Sequence, residues 1–114
     1  MYEVNYYEDA RGRSPVEEFI DGLPAKMRAK VFGRLELLEE HGPALGMPFS
    51  RHLDDGIFEL RTVQGSDITR VLYFFVAGGE IVLTHGFVKK TQKTPAREIE
   101  RAKRIREDWR SRNE

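Results

Sequence analysis

Three consecutive apolar stretches divided by glycine-led tight turns constrain this chain more than any other feature. Residues 57–63, 67–76 and 80–87 are rich in Val, Ile, Leu, Phe and Tyr, with Gly65-Ser66 and Gly78-Gly79 between them. A two-residue loop with glycine first suits a hairpin turn whose twist matches its flanking strands. The segment therefore predicts a three-stranded antiparallel meander, and the turns fix its register. Gly65-Ser66 sets Val63 opposite Ile68 and Arg61 opposite Arg70. Gly78-Gly79 sets Val76 opposite Ile81, Leu72 opposite His85 and Arg70 opposite Phe87.

Side chains alternate between the faces of a strand, so this register sorts them. One face receives Phe58, Leu60, Val71, Tyr73, Phe75, Val82 and Val88. It is apolar and must lie under helices. The other receives Glu59, Arg61, Arg70, His85, Phe87 and Lys89, with apolar Phe74, Ile81 and Leu83 at its far end.

The flanking segments supply the helices. Residues 2–7 alternate as a first strand, and a polar turn, Asp9 to Arg13, follows. Ser14-Pro15-Val16-Glu17 reads as a capping box with proline at the first helical position. The short helix it starts buries Val16, Phe19 and Ile20 and ends at Gly22. Pro24 opens a longer helix with Met27, Val31, Leu35 and Leu38 on one face, stopped by Gly42-Pro43. Residues 43–56 read as an irregular loop. Thr94-Pro95 caps a last helix whose inward stripe runs through Ile99, Ala102, Ile105 or the stem of Arg106, and Trp109. The expected fold class is α+β: one domain over residues 1–114, in the order strand, two helices, three-stranded meander, helix.

Composition narrows the functional classes. The chain has 114 residues, 33% of them charged, and no cysteine. That excludes disulfides, a thiol nucleophile and thiolate metal sites. No apolar run approaches the ~20 residues of a membrane helix, and Met1 to Glu8 lacks the pattern of a secretory signal. A cytoplasmic protein with no membrane partner is expected. The zero net charge hides an asymmetry: residues 1–87 hold 9 Lys/Arg against 14 Asp/Glu, and residues 88–114 hold 10 against 5. Such a basic segment is either a patch for polyanions or a solvated helix face.

The polar sheet face carries the candidate chemistry. Two arginines directly opposed across a hairpin repel each other, so removing either should change stability little. Glu59, diagonal to Arg70, can offset the repulsion; alternatively the pair awaits an anion, since guanidinium groups match phosphate geometry. Phe87 either stacks on a base or belongs to the core. His85 is the histidine of this face and titrates near neutral pH, so it is either a structural residue or an acid–base group. The spacing of His41, His52 and His85 suggests no metal site. Lys89, Lys90 and Lys93 then lead to a helix N-terminus, where amides attract phosphate.

Phe58-Glu59-Leu60-Arg61, Arg70-Val71-Leu72-Tyr73, the string from His85-Gly86-Phe87 through Lys89-Lys90-Thr91-Gln92-Lys93-Thr94-Pro95, and Ile99 with Ala102 together resemble the phage-derived branch of the RelE/HigB toxin superfamily. The resemblance covers nearly the whole chain, and the lysine-rich string is its most specific part. It implies a RelE-like fold and a type II toxin: a metal-independent, cofactor-free endoribonuclease that cuts messenger RNA on the ribosome. Its partners would be the ribosome, mRNA and a cognate antitoxin, of helix-turn-helix type, in a toxin–antitoxin hetero-oligomer. In such toxins a nucleotide's own 2′-hydroxyl attacks the next phosphate, so the protein supplies positioning, charge and proton transfer.

Carried over residue by residue, the resemblance gives Arg61 and Arg70 the scissile phosphate and Phe87 a base. Lys89 and Lys90 add charge, with Lys89 of the inward parity. His85 or Glu59 is the general base or acid. Lys93, Arg97, Arg101 and Arg104 contact RNA phosphates beyond the centre. Two alternatives keep the fold: a ParE-like inhibitor of DNA gyrase without nuclease activity, or a non-enzymatic nucleic-acid-binding host inhibitor.

Overall fold

The chain runs through β1 (Glu3–Tyr6), α1 (Pro15–Asp21), α2 (Ala25–His41), a 3-10 turn (Gly42–Ala44), β2 (Ser50–Asp54), β3 (Ile57–Gln64), β4 (Asp67–Val76), β5 (Glu80–Lys89) and α3 (Ala96–Asn113). This computed structural model describes residues 1–89 and 92–114. One sheet holds all five strands in the order β1-β5-β4-β3-β2. Every pairing is antiparallel except β1 with β5. The α+β architecture is the expected one, with a strand added at one edge.

Local chemistry explains the helix boundaries. The Ser14 hydroxyl accepts from the Glu17 N–H at 3.2 Å, and Pro15 occupies the first turn. Along α2, Met27, Val31, Leu35 and Leu38 are buried at helical spacing. They join Val16 and Ile20 of α1 over Leu60, Val71 and Tyr73 of the sheet. Phe19 of α1 lies against the backbone of Gly86, where any Cβ would overlap its ring. On the opposite face α3 lays Ala102 and Ile105 on Ile57, Leu72, Phe74 and Val82. Trp109 meets Phe74 edge-on at 5.6 Å. The sheet is therefore covered on both sides.

Several expectations need correction. Residues 43–56 are not wholly irregular, because β2 pairs with β3 through a two-residue Asp55-Gly56 turn. Both turn residues have positive φ, 49° and 78°, the geometry that asparagine or aspartate followed by glycine favours in hairpins. The β4–β5 loop holds three residues, so Val76 faces Glu80 and Ile81 faces Phe75. A bulge at Thr84 absorbs the offset and restores Leu72 opposite His85 and Arg70 opposite Phe87. The Thr84 hydroxyl holds it by donating to the Leu72 carbonyl at 3.1 Å. Beyond the bulge the side chains exchange faces: Ile81 and Leu83 enter the α1/α2 core, and Val82 enters the α3 core. Val88 is 51% exposed, at the rim of a groove with Leu23, Pro24 and Met27 rather than under helical cover. Finally, Thr94 does not cap α3. Pro95 holds the cap position without a side-chain bond, and the Thr94 hydroxyl donates to Glu59.

Candidate nucleic-acid interface

Four adjacent strands each contribute one cation to the sheet face that carries α3: Arg51 from β2, Arg61 from β3, Arg70 from β4 and Lys89 from β5. Register defines their line. Arg61 lies directly opposite Arg70. Lys89 faces Ile68, two residues from Arg70 on β4. Arg51 faces Glu59, two residues from Arg61 on β3. The cations thus form an oblique stripe across the sheet. With strands ~4.8 Å apart and ~3.3 Å per residue along them, it spans about 14 Å across the sheet and roughly 20 Å from end to end.

Glu59 sits inside this stripe with none of its surface exposed. Its Oε2 is ion-paired with Nη1 of Arg70 and lies 3.4 Å from Nε of Arg51. Its Oε1 accepts from the Thr94 hydroxyl. A carboxylate removed from water requires such partners, and here they come from β2, β4 and the loop before α3. Glu59 thereby offsets the repulsion between Arg61 and Arg70, yet one carboxylate among four cations leaves the stripe positive.

The remaining donors point to an anion. Arg70 is 3% exposed. Its Nε and that of Arg61 are buried with no hydrogen-bond partner among the described residues, whereas buried polar groups are normally satisfied. Arg70, Lys89 and Gln92 line an open cleft of ≈ 620 Å³ beside the β3–β4 hairpin tip, Ser66 and Asp67. Burial lowers the pKa of both Arg70 and Lys89, and neighbouring guanidinium groups lower each further while Glu59 opposes the shift. The Lys89 ammonium also donates to the Gln92 carbonyl.

His85 belongs to the same face but not to the open cleft. It is 1% exposed. Nδ1 lies 3.1 Å from the Thr84 hydroxyl oxygen, and Nε2 lies 3.1 Å from Oε1 of Glu98 on α3. Burial pushes its pKa down to about 4, Arg101 and Arg104 act in the same direction, and Glu98 opposes them. The imidazole is neutral at neutral pH. Phe87 stacks on it with centroids 6.1 Å apart, and it packs half-buried against the α3-side core.

Arg97, Arg101 and Arg104 are exposed on α3, and their spacing of four and three puts them on one helix face. Lys93 is exposed in the preceding loop. Lys90 lies outside the described residues. The structure thus brings Glu59, Arg61, Arg70 and Lys89 together and sets His85 and Phe87 behind them under α3. Sequence reasoning missed Arg51, because it missed β2. The Asp55-Gly56 pair ahead of an apolar strand was the available signal.

The fold defines a class: a small α+β protein with a five-stranded, mostly antiparallel sheet and three helices, consistent with a RelE-like fold. The family model described as "Phage derived protein Gp49-like (DUF891)" matches residues 18–107, and the chain belongs to that family, within the superfamily of toxin–antitoxin toxins. No curated protein matches the chain significantly. No helix among the described residues is long and apolar enough to cross a membrane.

Proposed function

We propose that this protein is the toxin of a toxin–antitoxin pair and acts as a ribosome-dependent endoribonuclease on messenger RNA. The observation that carries this reading is the convergence of Arg61, Arg70 and Lys89 on one sheet face, with Arg70 and Lys89 lining the cleft. Guanidinium donors match phosphate oxygens, and preorganised charge in a partly dry site stabilises a phosphorane far better than it would in water. Arg61 and Arg70 hold the scissile phosphate while the 2′-hydroxyl gives its proton to solvent water in the open cleft, its oxygen forms the bond to phosphorus and the bond to the 5′-oxygen breaks. Lys89, whose ammonium burial has made more acidic, gives its proton to the departing 5′-oxygen. His85, buried between Thr84 and Glu98, ties the sheet to α3 and backs the ring of Phe87. Exposed Arg97, Arg101 and Arg104, with Lys93, contact ribosomal RNA phosphates, and Lys90 is proposed to bind a flanking phosphate.

The cognate antitoxin, of helix-turn-helix type, neutralises the protein by presenting acidic residues to the cleft within a hetero-oligomer. An in vitro translation reaction tests the function: adding the protein is expected to produce mapped cuts in the message, and Arg61→Ala is expected to abolish them. One observation favours a second reading, gyrase inhibition without cleavage. Glu59 and His85, the carboxylate and imidazole of this face, are both buried, Glu59 against Arg70 and Thr94 and His85 against Glu98. Intact message together with inhibited DNA supercoiling would establish that alternative.

A further inference from the structure

We propose that Arg51 is a phosphate contact for a single-stranded nucleic acid crossing the sheet, and that Glu59, locked by Thr94, is the positioning residue that aims Arg51 and Arg70 along its path. The proposal rests on the nucleic-acid reading of the cleft and extends it to the open edge of the sheet. Three observations carry it. β2 is an edge strand, so a chain entering over Lys89 can leave past Arg51 without meeting another strand. The Arg51 side chain is 43% exposed. It is anchored at Nε, 3.4 Å from Glu59, which leaves its terminal Nη donors outside that ion pair. The stripe from Lys89 to Arg51, roughly 20 Å from end to end by strand spacing and register, exceeds the reach of one phosphate group and suits a backbone in extension.

Glu59 has a distinct part. Its two oxygens contact Arg70, Arg51 and Thr94, and none of its surface is exposed to a substrate hydroxyl. It fixes two guanidinium groups on neighbouring strands relative to each other, and Thr94 ties that pair to the segment leading into α3. Ordering the guanidinium groups before the ligand arrives lowers the entropy lost on binding.

The probe is a short 2′-O-methyl RNA, which keeps its phosphates but lacks the attacking hydroxyl. Binding to the full chain is measured across a salt series. Arg51→Ala is expected to weaken binding severalfold at low salt and to reduce the slope of log K against log salt by about 0.7, the loss of one phosphate contact on a single strand. Arg51→Lys is expected to restore the slope. Equal affinity and slope for the parent and Arg51→Ala would overturn the proposal and leave the nuclease reading standing. A parent that binds no RNA at any salt would overturn the nucleic-acid reading, and the role of Arg51 with it.

The positioning role is read separately, from the side-chain Nε–Hε NMR signals of Arg51 and Arg70. Both are expected to be sharp in the parent and broadened by exchange with water in Glu59→Gln. Thr94→Val is expected to broaden them in the same direction, and it supplies the answer should Glu59→Gln fail to fold. Unchanged signals in whichever variant folds would overturn the positioning role.

Discussion

The Thr94 hydroxyl donates to Oε1 of Glu59, joining residues 35 positions apart. This bond brings the segment after β5 onto the middle of β3. It also completes the shell of a carboxylate whose other oxygen faces Arg70 and Arg51. The two opposed arginines are consequently unlike. Arg70 neutralises a buried charge, whereas no ion pair among the described residues involves Arg61.

Removing them should therefore separate stability from function. Arg70→Ala leaves Glu59 short of its main partner and is expected to destabilise the fold by on the order of 3 kcal/mol. Arg61→Ala relieves a like-charge contact and should shift stability by less than about 1 kcal/mol. Urea unfolding measures both. Combining Arg70→Met with Glu59→Leu should recover most of the loss, since an apolar pair does not strand a charge. Equal destabilisation by the two single variants would show that the Glu59–Arg70 pair does not stabilise the fold.

His85 gives the fold a pH dependence of known sign. Its folded pKa of about 4 lies below its ordinary value of 6.5. Between those values the unfolded chain binds a proton that the folded one refuses. Its contribution is thus complete above pH 6.5 and is lost as pH falls toward 4, at up to about 1.4 kcal/mol per pH unit. Urea midpoints measured from pH 8 to pH 4 should fall in that window, and His85→Gln should flatten the decline. A parent and variant with parallel profiles would place the titration elsewhere.

Much of this was legible in the sequence, for identifiable reasons. The Gly65-Ser66 turn and strict alternation in β3 and β4 specify the Arg61–Arg70 pairing, because a one-residue slip would expose the whole apolar face. The capping residues around Ser14 and the 27-31-35-38 stripe act locally and read the same way in isolation. The Thr84 bulge did not announce itself. Threonine is an ordinary strand residue, and what selects the bulge is the tertiary bond from its hydroxyl to Leu72. The Glu59–Thr94 bond was hidden for the same reason: Thr94 precedes Pro95 like any helix cap, and its partner lies in a distant strand. Arg51 was missed where a short edge strand with exposed polar residues looked like loop.

Gly86 offers a test of how tightly the α1 side of the sheet holds the site. A Cβ there would overlap the ring of Phe19, on the residue between His85 and Phe87. Gly86→Ala is expected to destabilise by about 1–3 kcal/mol through overpacking. Pairing it with Phe19→Leu should recover part of that, which a double-mutant cycle in thermal unfolding would measure. Additive effects in the cycle would mean that the two residues do not press on each other.

Arg97, Arg101 and Arg104 share one exposed face of α3, while Ala102 and Ile105 hold the helix to the sheet from the other side. Their charges can therefore be removed without disturbing the core. Contacts to phosphates give affinity without sequence information. Replacing all three with glutamine should weaken ribosome co-sedimentation, flatten its dependence on salt, and leave the positions of message cleavage unchanged. Arg61→Ala should do the reverse, sparing ribosome binding while stopping cleavage. The loss of Arg101 and Arg104 also removes two charges that hold His85 neutral. The triple variant should accordingly show a His85 pKa moved upward, readable from imidazole NMR shifts. A triple variant that sediments like the parent at every salt concentration would reduce this face to solvated charge and end its part in docking.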